Sequence, residues 1–218
     1  MRTVIFDLDG TLADTAGDLL AAANACFRDL GLGDLLGPAD APVALRGGGP
    51  CWRSGFSRVG GHDAGEIDRQ YPRLLQAYEA AICESTRLYP GAAEAVEHLR
   101  AAGWRTGICT NKPERLSALL LERLGCRHLF DSLVGADTLP VRKPDPRPLH
   151  EAIRRAGGQT GRACLVGDSG TDRDTARAAG VPCLLVTFAD PAGMVALAPE
   201  GLLDRYEDLP RAVAALVP

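Results

Sequence analysis

The chain has 218 residues, of which 46% are hydrophobic and 24% are charged, as in a globular protein that is large enough to bury a core. A net charge of −4 argues against a broad nucleic-acid-binding surface, and no apolar run approaches the roughly 18 residues that a membrane helix needs. Seven cysteines without a Cys-x-x-Cys pair argue against a disulfide framework or a zinc site, so we expect a reducing, cytoplasmic location.

The first predicted element is the apolar run Thr3–Phe6, a buried strand with no signal peptide before it. Asp7 and Asp9 follow this strand. Because side chains two residues apart share a face of an extended backbone, both carboxylates are expected in one small volume. Like charges that close repel each other unless a cation lies between them. The pair therefore indicates a carboxylate that attacks an anionic group beside a bound metal.

The segment that follows has no strand pattern and predicts an all-helical domain inserted after the first strand. A helix is expected over Thr15–Leu30, with Thr15-x-x-Asp18 resembling a capping box, and a second helical pattern runs from Asp63 to Glu84. The predicted domains are an α/β core of residues 1–14 and 87–218 and a helical insertion of residues 15–86.

Between the two helical patterns lies a glycine-rich, basic loop from Leu45 to His62 that contains no acidic residue. A mobile basic lid over an anion site would suit a substrate with a second negative group, and Arg46 and Arg53 are its candidate contacts. A flexible, solvated loop with scattered arginines fits the composition equally well. Trp52 and Phe56 are expected in the core of the insertion rather than against a substrate.

After Pro90-Gly91, strands and helices alternate regularly, which predicts a Rossmann-like parallel sheet covered on both faces. The predicted strands are Trp104–Cys109, Ser132–Val134, Ala163–Val166 and Pro182–Val186. The predicted helices are Ala92–Ala102, Pro113–Leu124, Pro148–Ala156, Thr171–Ala179 and Glu207–Leu216. Such sheets bind ligands at the carboxyl ends of their strands.

Polar residues follow three of these strands. Thr110 and Asn111 suit a phosphate at a helix N-terminus, although taken alone they are better explained as a helix cap. Lys143 lies in a rigid, proline-flanked loop, which taken alone is better explained as a solvated turn. Asp168 and Asp172, one helical turn apart, offer oxygen ligands of the kind that Mg²⁺ prefers, or else form an N-cap and an exposed acid.

These alternatives weaken when the strand ends are taken together with the Asp7–Asp9 pair. In a parallel sheet the carboxyl ends of the strands share one edge, so the polar groups are expected to meet there. They supply carboxylates, an ammonium group, a hydroxyl and helix N-termini. That combination indicates a site for a metal ion and a phosphoryl group.

The four motifs occur in the order that characterises the haloacid dehalogenase-like hydrolase superfamily, in which most members are phosphatases, and the chain resembles that superfamily over its whole length. The motifs are Asp7-x-Asp9-Gly10-Thr11, Thr110-Asn111, Lys143-Pro144 and Gly167-Asp168-Ser169-x-x-Asp172. The insertion matches the superfamily's helical cap. Longer strings are similar to the phosphoglycolate phosphatase branch, namely Leu88-Tyr89-Pro90-Gly91, Lys143-Pro144-Asp145-Pro146 and Gly167-Asp168-Ser169.

The resemblance implies a role for each acidic motif residue. Asp7 would be the nucleophile that forms an aspartyl-phosphate, and Asp9 would protonate the leaving alcohol and later activate water. Asp7, the backbone carbonyl of Asp9, and Asp168 would hold Mg²⁺. Asp172 would bind the metal through water or orient Asp168.

The resemblance also implies that Thr110, Asn111 and Lys143 hold the phosphoryl oxygens. The implied function is a Mg²⁺-dependent phosphatase of a small anionic phosphate monoester, with 2-phosphoglycolate favoured, acting as a monomer or homodimer. The alternatives are a phosphatase of another small ester such as a sugar phosphate, a sugar phosphomutase of the same superfamily, and a non-catalytic binding protein on this fold. The presence of Asp9 argues against a dehalogenase, because that branch lacks the second aspartate.

Overall fold

A computed structural model of the chain describes residues 1–61, 65–188 and 191–217. The chain forms two compact units, a core unit of Met1–Ala13 and Leu88–Pro218 and an inserted unit of Asp14–Arg87. The predicted helix start at Asp63 and the end of the basic loop at His62 lie outside the described residues. No helix in the described ranges is long and apolar enough to cross a membrane.

The core unit is built on a six-stranded parallel sheet with the strand order β5-β4-β1-β6-β7-β8, while β2 and β3 form a separate two-stranded ribbon. The strands are β1 (Thr3–Phe6), β2 (Ala13–Asp14), β3 (Arg87–Leu88), β4 (Arg105–Cys109), β5 (Ser132–Val134), β6 (Ala163–Gly167), β7 (Cys183–Val186) and β8 (Gly201–Leu203). Every residue of β1, β6 and β7 is buried, as expected for parallel strands that are covered on both faces. The predicted Rossmann-like α/β fold is confirmed.

Helices make up most of the inserted unit and cover the sheet of the core unit. The inserted unit contains α1 (Ala16–Asp29), α2 (Ala41–Ala44), α3 (Gly48–Ser57) and α4 (Glu66–Ala80). The core unit contains α5 (Ala92–Ala101), α6 (Glu114–Arg123), α7 (Arg147–Arg155), α8 (Gly170–Ala179), α9 (Pro191–Ala196) and α10 (Leu209–Leu216). The predicted elements after Pro90 agree with these bounds to within two residues, whereas β8 and α9 were not predicted.

The prediction of a loop from Leu45 to His62 is wrong, because α3 occupies most of that segment. Trp52 and Phe56 are buried on one side of α3, and their rings lie 4.6 Å and 5.4 Å from the ring of Phe27 between centroids. At Gly55, a β-carbon would lie 2.2 Å from Phe27, so only glycine allows this packing. The expectation that both aromatic residues belong to the core of the insertion is confirmed.

The predicted capping box at the start of α1 is also wrong. The side chain of Thr15 makes no capping hydrogen bond. The carboxylate of Asp18 instead accepts hydrogen bonds from the backbone N–H and the hydroxyl of both Ser85 and Thr86, at 2.6 to 3.0 Å. Four donors stabilise a carboxylate more than a single capping donor does. Asp18 thus connects the first helix of the inserted unit to the last residues of that unit.

Candidate active site

The strand ends of the core unit bring the predicted site residues together. Phe6 at the end of β1 pairs with Ile108 in β4 and with Val166 in β6. This register places the residue after β1, Asp7, level with the last residues of both neighbouring strands. The backbone N–H of Asp7 donates to the carbonyl of Val166 at 2.9 Å, so the hydrogen bonds between β1 and β6 continue into the first motif.

Lys143 lies between two of the aspartates. Its Nζ is 3.0 Å from Oδ2 of Asp7 and 2.6 Å from Oδ1 of Asp172, and its side chain is 1% exposed. Burial alone would lower the pKa of Lys143, but the attraction of Asp172 and Asp7 outweighs burial and raises the pKa. The ammonium therefore stays charged, and the alternative of a solvated turn is wrong for this side chain.

Three carboxylates form a compact cluster at this edge. Asp7, Asp168 and Asp172 each offer an oxygen, and these atoms lie within 4.8 Å of one another. Burial raises the pKa of Asp7 to about 6 and the pKa of Asp168 well above its usual range, and the negative charge of Asp172 adds to both effects, although Lys143 opposes them. Closely spaced carboxylate oxygens that repel one another are the ligands that a hard divalent cation suits, so the cluster fits Mg²⁺.

Hydrogen bonds fix the carboxylate of Asp172. Its Oδ2 accepts from the hydroxyl of Ser169 at 2.6 Å and from the N–H of Asp168 at 3.3 Å. Ser169, and not Asp168, is the N-cap of α8, and Asp172 is fully buried, so the alternative of an aspartate cap and an exposed acid is wrong. A β-carbon at residue 167 would lie 2.4 Å from Asp172, which explains the glycine there.

Two residues that had no predicted role, Thr11 and Tyr206, support Asp168. The hydroxyl of Thr11 donates to Oδ1 of Asp168 at 2.7 Å. The carbonyl of Thr11 accepts a hydrogen bond from the hydroxyl of Tyr206 at 2.8 Å, and both residues are buried. Thr11 is the last residue of the first motif, but no local pattern indicates a contact with Tyr206 near the end of the chain.

Thr110 and Asn111 follow β4 as predicted, but neither caps α6, whose N-cap position is Pro113. Thr110 is buried, and its hydroxyl accepts from the N–H of Lys112 at 3.2 Å. Asn111 is exposed, and its Nδ2 donates to the carbonyl of Lys143 at 3.0 Å. The interpretation of the pair as a helix cap is therefore wrong, and Asn111 connects two of the motifs.

Asp9 has a partner that the sequence analysis missed. The Nζ of Lys112 donates to both carboxylate oxygens of Asp9, at 2.8 and 3.0 Å. The side chains of Lys112 and Asp9 are 5% and 14% exposed. The carboxylate of Asp9 is thus held by an ammonium group, whereas its predicted contact with a metal is through the backbone carbonyl.

The two candidate arginines, Arg46 and Arg53, belong to the inserted unit, where both are exposed. Arg46 precedes α3, and Arg53 lies within it. A third arginine of this segment, Arg58, has a structural partner, since its Nη2 lies 2.5 Å from Oδ1 of Asp40.

Comparisons with known proteins agree with these motifs. The family model of the haloacid dehalogenase-like hydrolases matches residues 1–180. The phosphoglycolate phosphatase of Mesorhizobium japonicum is 41% identical over 202 residues, which cover 85% of this chain and 82% of that relative. The phosphoglycolate phosphatase of Caulobacter vibrioides is 35% identical over 217 residues, which cover 99% and 92%. The crystal structure of a predicted phosphoglycolate phosphatase from Haemophilus somnus matches with a TM-score of 0.85 and 25% identity, over 97% of both chains.

Proposed function

The chain belongs to the haloacid dehalogenase-like hydrolases, and from this membership we propose that it is a Mg²⁺-dependent phosphatase that hydrolyses 2-phosphoglycolate through an aspartyl-phosphate. The observation that carries the mechanism is the cluster of Asp7, Asp168 and the buried Asp172, in which the ammonium of Lys143 contacts Asp7 and Asp172. The names of the Mesorhizobium japonicum and Caulobacter vibrioides relatives support the choice of substrate.

In the first half-reaction, a carboxylate oxygen of Asp7 attacks phosphorus and the bond between phosphorus and the ester oxygen breaks. The leaving oxygen takes a proton from the carboxyl group of Asp9, so glycolate leaves as an alcohol. Lys143, together with the hydroxyl of Thr110 and the amide of Asn111, binds the phosphoryl oxygens. This positive charge is needed because two anions must approach each other.

In the second half-reaction, water attacks the phosphorus of the aspartyl-phosphate and gives a proton to Asp9. The bond between Asp7 and phosphorus breaks, which restores the carboxylate and releases inorganic phosphate. Asp7, the carbonyl of Asp9, and Asp168 would hold Mg²⁺, which supplies positive charge to the phosphoryl oxygens when it is bound. Asp172 orients the site through its contact with Lys143 and the N–H of Asp168.

The carboxylate of 2-phosphoglycolate also needs a cationic partner, and Arg46 and Arg53 remain the predicted contacts. Both are exposed cations in a segment without an acidic residue. A cytoplasmic location and a monomeric or homodimeric state also stay predictions, which cell fractionation and light scattering would check.

A panel of phosphate monoesters tests the proposed function. We expect 2-phosphoglycolate to give the highest kcat/KM in the presence of Mg²⁺, with sugar phosphates below it. A double variant, Asp7→Asn with Asp168→Asn, lacks both the proposed nucleophile and a proposed metal ligand, and prepared in parallel it measures the background from contaminating phosphatases. A sugar phosphate at the head of the ranking would contradict the substrate, and wild-type rates no higher than the background for every ester would contradict the phosphatase assignment.

A further inference from the structure

Lysine is rare in this chain, and both lysines lie at the candidate site. Of the 24 lysine and arginine residues, 22 are arginine, and only Lys112 and Lys143 are lysine. These two residues are 7% and 3% exposed, and each makes an ion pair with an aspartate of the first motif. An ammonium is a compact point charge, whereas a guanidinium is a larger planar fork. The chain therefore keeps lysine at the two places where a small buried cation meets the carboxylates of this edge.

The backbone around Lys112 is held as firmly as its side chain. Its N–H donates to the hydroxyl of Thr110 at 3.2 Å, and its carbonyl accepts from the N–H of Ala136 at 3.0 Å. A β-carbon at residue 135 would lie 2.8 Å from that carbonyl, so Gly135 permits the close approach. The backbone of Lys112 is thus held by two neighbouring strand ends, because residues 110 and 135 directly follow β4 and β5.

The balance of charges at this edge of the sheet also indicates that Lys112 belongs to the site. Four aspartates, Asp7, Asp9, Asp168 and Asp172, converge on two ammonium groups. The two negative charges that remain equal the charge of one divalent cation. Without Lys112, the partly buried carboxylate of Asp9 would lose the ammonium group that holds it, which is a costly change.

We propose that Lys112 is a positioning residue that holds the carboxyl group of Asp9 in the orientation needed to exchange a proton with the leaving oxygen and with the attacking water. This inference rests on the proposed function, because the role of Asp9 comes from it. Each carboxylate oxygen has a second lone pair, so the contacts with Lys112 do not use up the capacity of Asp9 to accept a proton. Restraining both oxygens at 2.8 and 3.0 Å limits rotation of the carboxyl group.

Rapid-mixing kinetics with p-nitrophenyl phosphate separates this role from a purely structural one. The p-nitrophenolate ion leaves without a proton, so formation of the aspartyl-phosphate needs little help from Asp9, whereas its hydrolysis needs Asp9 as a base. In Lys112→Met we expect the rate constant for hydrolysis of the intermediate to fall roughly 10- to 100-fold, while the rate constant for its formation changes less than about threefold. The variant should therefore show a burst of about one p-nitrophenolate per active site. Arg115→Met, which removes an exposed cation three residues away, should keep the wild-type ratio of the two rate constants.

Equal losses in both rate constants of Lys112→Met, or no loss in either, would overturn the proposal. A second measurement does not depend on the folding of that variant. Protein labelled with ¹³C at the lysine ε-carbon should give one signal for each of the two lysines, and Asp9→Asn should shift one of them and leave the other in place. If neither signal shifts, the ion pair is absent in solution and the proposal is wrong.

The two proposals fail in different ways. If the wild-type protein hydrolyses no phosphate ester, the proposed function is wrong and the proposed role of Lys112 is rejected as well. If the wild-type protein is an active phosphatase and Lys112→Met keeps the wild-type ratio of rate constants, only the role of Lys112 is rejected.

Discussion

The inserted unit surrounds its buried aspartates with hydrogen-bond donors, whereas the sheet edge of the core unit crowds aspartates together. Burial opposes the ionisation of Asp18, but hydrogen bonds from Ser85 and Thr86 outweigh it and lower its pKa. At the edge of the sheet, burial and neighbouring carboxylates raise the pKa values of Asp7 and Asp168 despite the presence of Lys143. A buried carboxylate that accepts enough hydrogen bonds stabilises the fold. A cluster of carboxylates with too few hydrogen-bond donors around it is suited to bind a cation.

The largest effect is expected from the proposed nucleophile. Asp7→Asn keeps the size of the side chain and removes the attacking charge, so kcat for 2-phosphoglycolate should fall by about 10⁴-fold or more while the protein still folds. Steady-state kinetics with circular dichroism as the folding control would measure both. An Asp7→Asn protein with activity near that of the wild type would exclude the covalent mechanism.

A substitution in the inserted unit should affect stability rather than chemistry. Asp18→Asn removes the charge that holds the N–H and hydroxyl groups of Ser85 and Thr86, and we expect a loss of about 3 kcal/mol in the free energy of unfolding. Urea denaturation would measure it. Asp34→Asn is the matched control, because Asp34 is an exposed aspartate of the same unit. A loss no greater than that of the control would show that the four contacts of Asp18 contribute little.

Substitutions of two aspartates of the cluster should affect different quantities, one mainly Mg²⁺ affinity and the other mainly folding stability. Asp168→Asn should weaken Mg²⁺ binding roughly 10- to 100-fold with little loss of stability, because it removes one of several neighbouring negative charges that repel each other. Asp172→Asn should lower stability more, because Asp172 is fully buried and in contact with Lys143. Isothermal titration with Mg²⁺ and thermal unfolding without it would measure both quantities. The reverse order, with Asp172→Asn weakening Mg²⁺ binding more than Asp168→Asn does, would make Asp172 the main ligand.

The exposed arginines of the inserted unit are expected to have a smaller and substrate-specific effect. Arg46→Ala or Arg53→Ala should reduce kcat/KM for 2-phosphoglycolate roughly tenfold, because a charge-assisted hydrogen bond is lost from a site that water screens. Hydrolysis of p-nitrophenyl phosphate, which lacks a second negative group, should change little. Arg58→Ala would serve as a structural control, since it loses the contact with Asp40 and should lower both activities alike. If Arg46→Ala and Arg53→Ala change kcat/KM equally for both substrates, the two residues do not bind the carboxylate of 2-phosphoglycolate.

The smallest effect expected is on the pH dependence of folding stability, to which Asp7 in the core unit and Asp18 in the inserted unit contribute with opposite sign. The pKa of Asp7 is raised to about 6 in the fold, so its ionisation destabilises the metal-free protein. This cost disappears as the pH falls from about 6 to about 4, the ordinary pKa of an aspartate in the unfolded chain. Asp18, whose pKa is lowered, contributes stability above about pH 4 that is lost below it. We expect metal-free protein to gain about 1 kcal/mol between pH 7 and pH 5, and saturating Mg²⁺ to remove that gain. A metal-free stability that falls steadily from pH 7 to pH 5 would contradict the raised pKa of Asp7.

Much of the core unit was predictable because its signals are local. Apolar runs such as Thr3–Phe6 are followed by polar or glycine residues, so both the strand and its end are visible in the sequence. The helix α3 was missed because Gly47, Gly48, Gly49 and Pro50 stand at its start and have low helix propensity. Packing of Trp52 and Phe56 against Phe27 overrides that local preference.

The motif residues of the site were predictable for the same reason, whereas their partners were not. Asp7, Lys143 and Asp168 each follow a recognisable strand or lie in a rigid loop, and the order of the motifs supports their grouping. The contact between Lys112 and Asp9 joins residues 103 positions apart, and no short pattern encodes it. The rarity of lysine was a usable signal, because both lysines of the chain are at the site. The failed capping box shows the converse, since Thr15-x-x-Asp18 fits a local pattern while Asp18 pairs with Ser85 and Thr86 far along the chain.

The hydrogen bond from Tyr206 to Thr11 connects the C-terminal segment to the first motif. The family match ends at residue 180, yet Tyr206 supports the residue that holds Asp168, and its ring lies 5.6 Å from that of Phe188 between centroids. A chain that stopped at residue 180 would lose this support together with β7 and β8. We therefore expect a functional piece of this protein to extend at least through Tyr206.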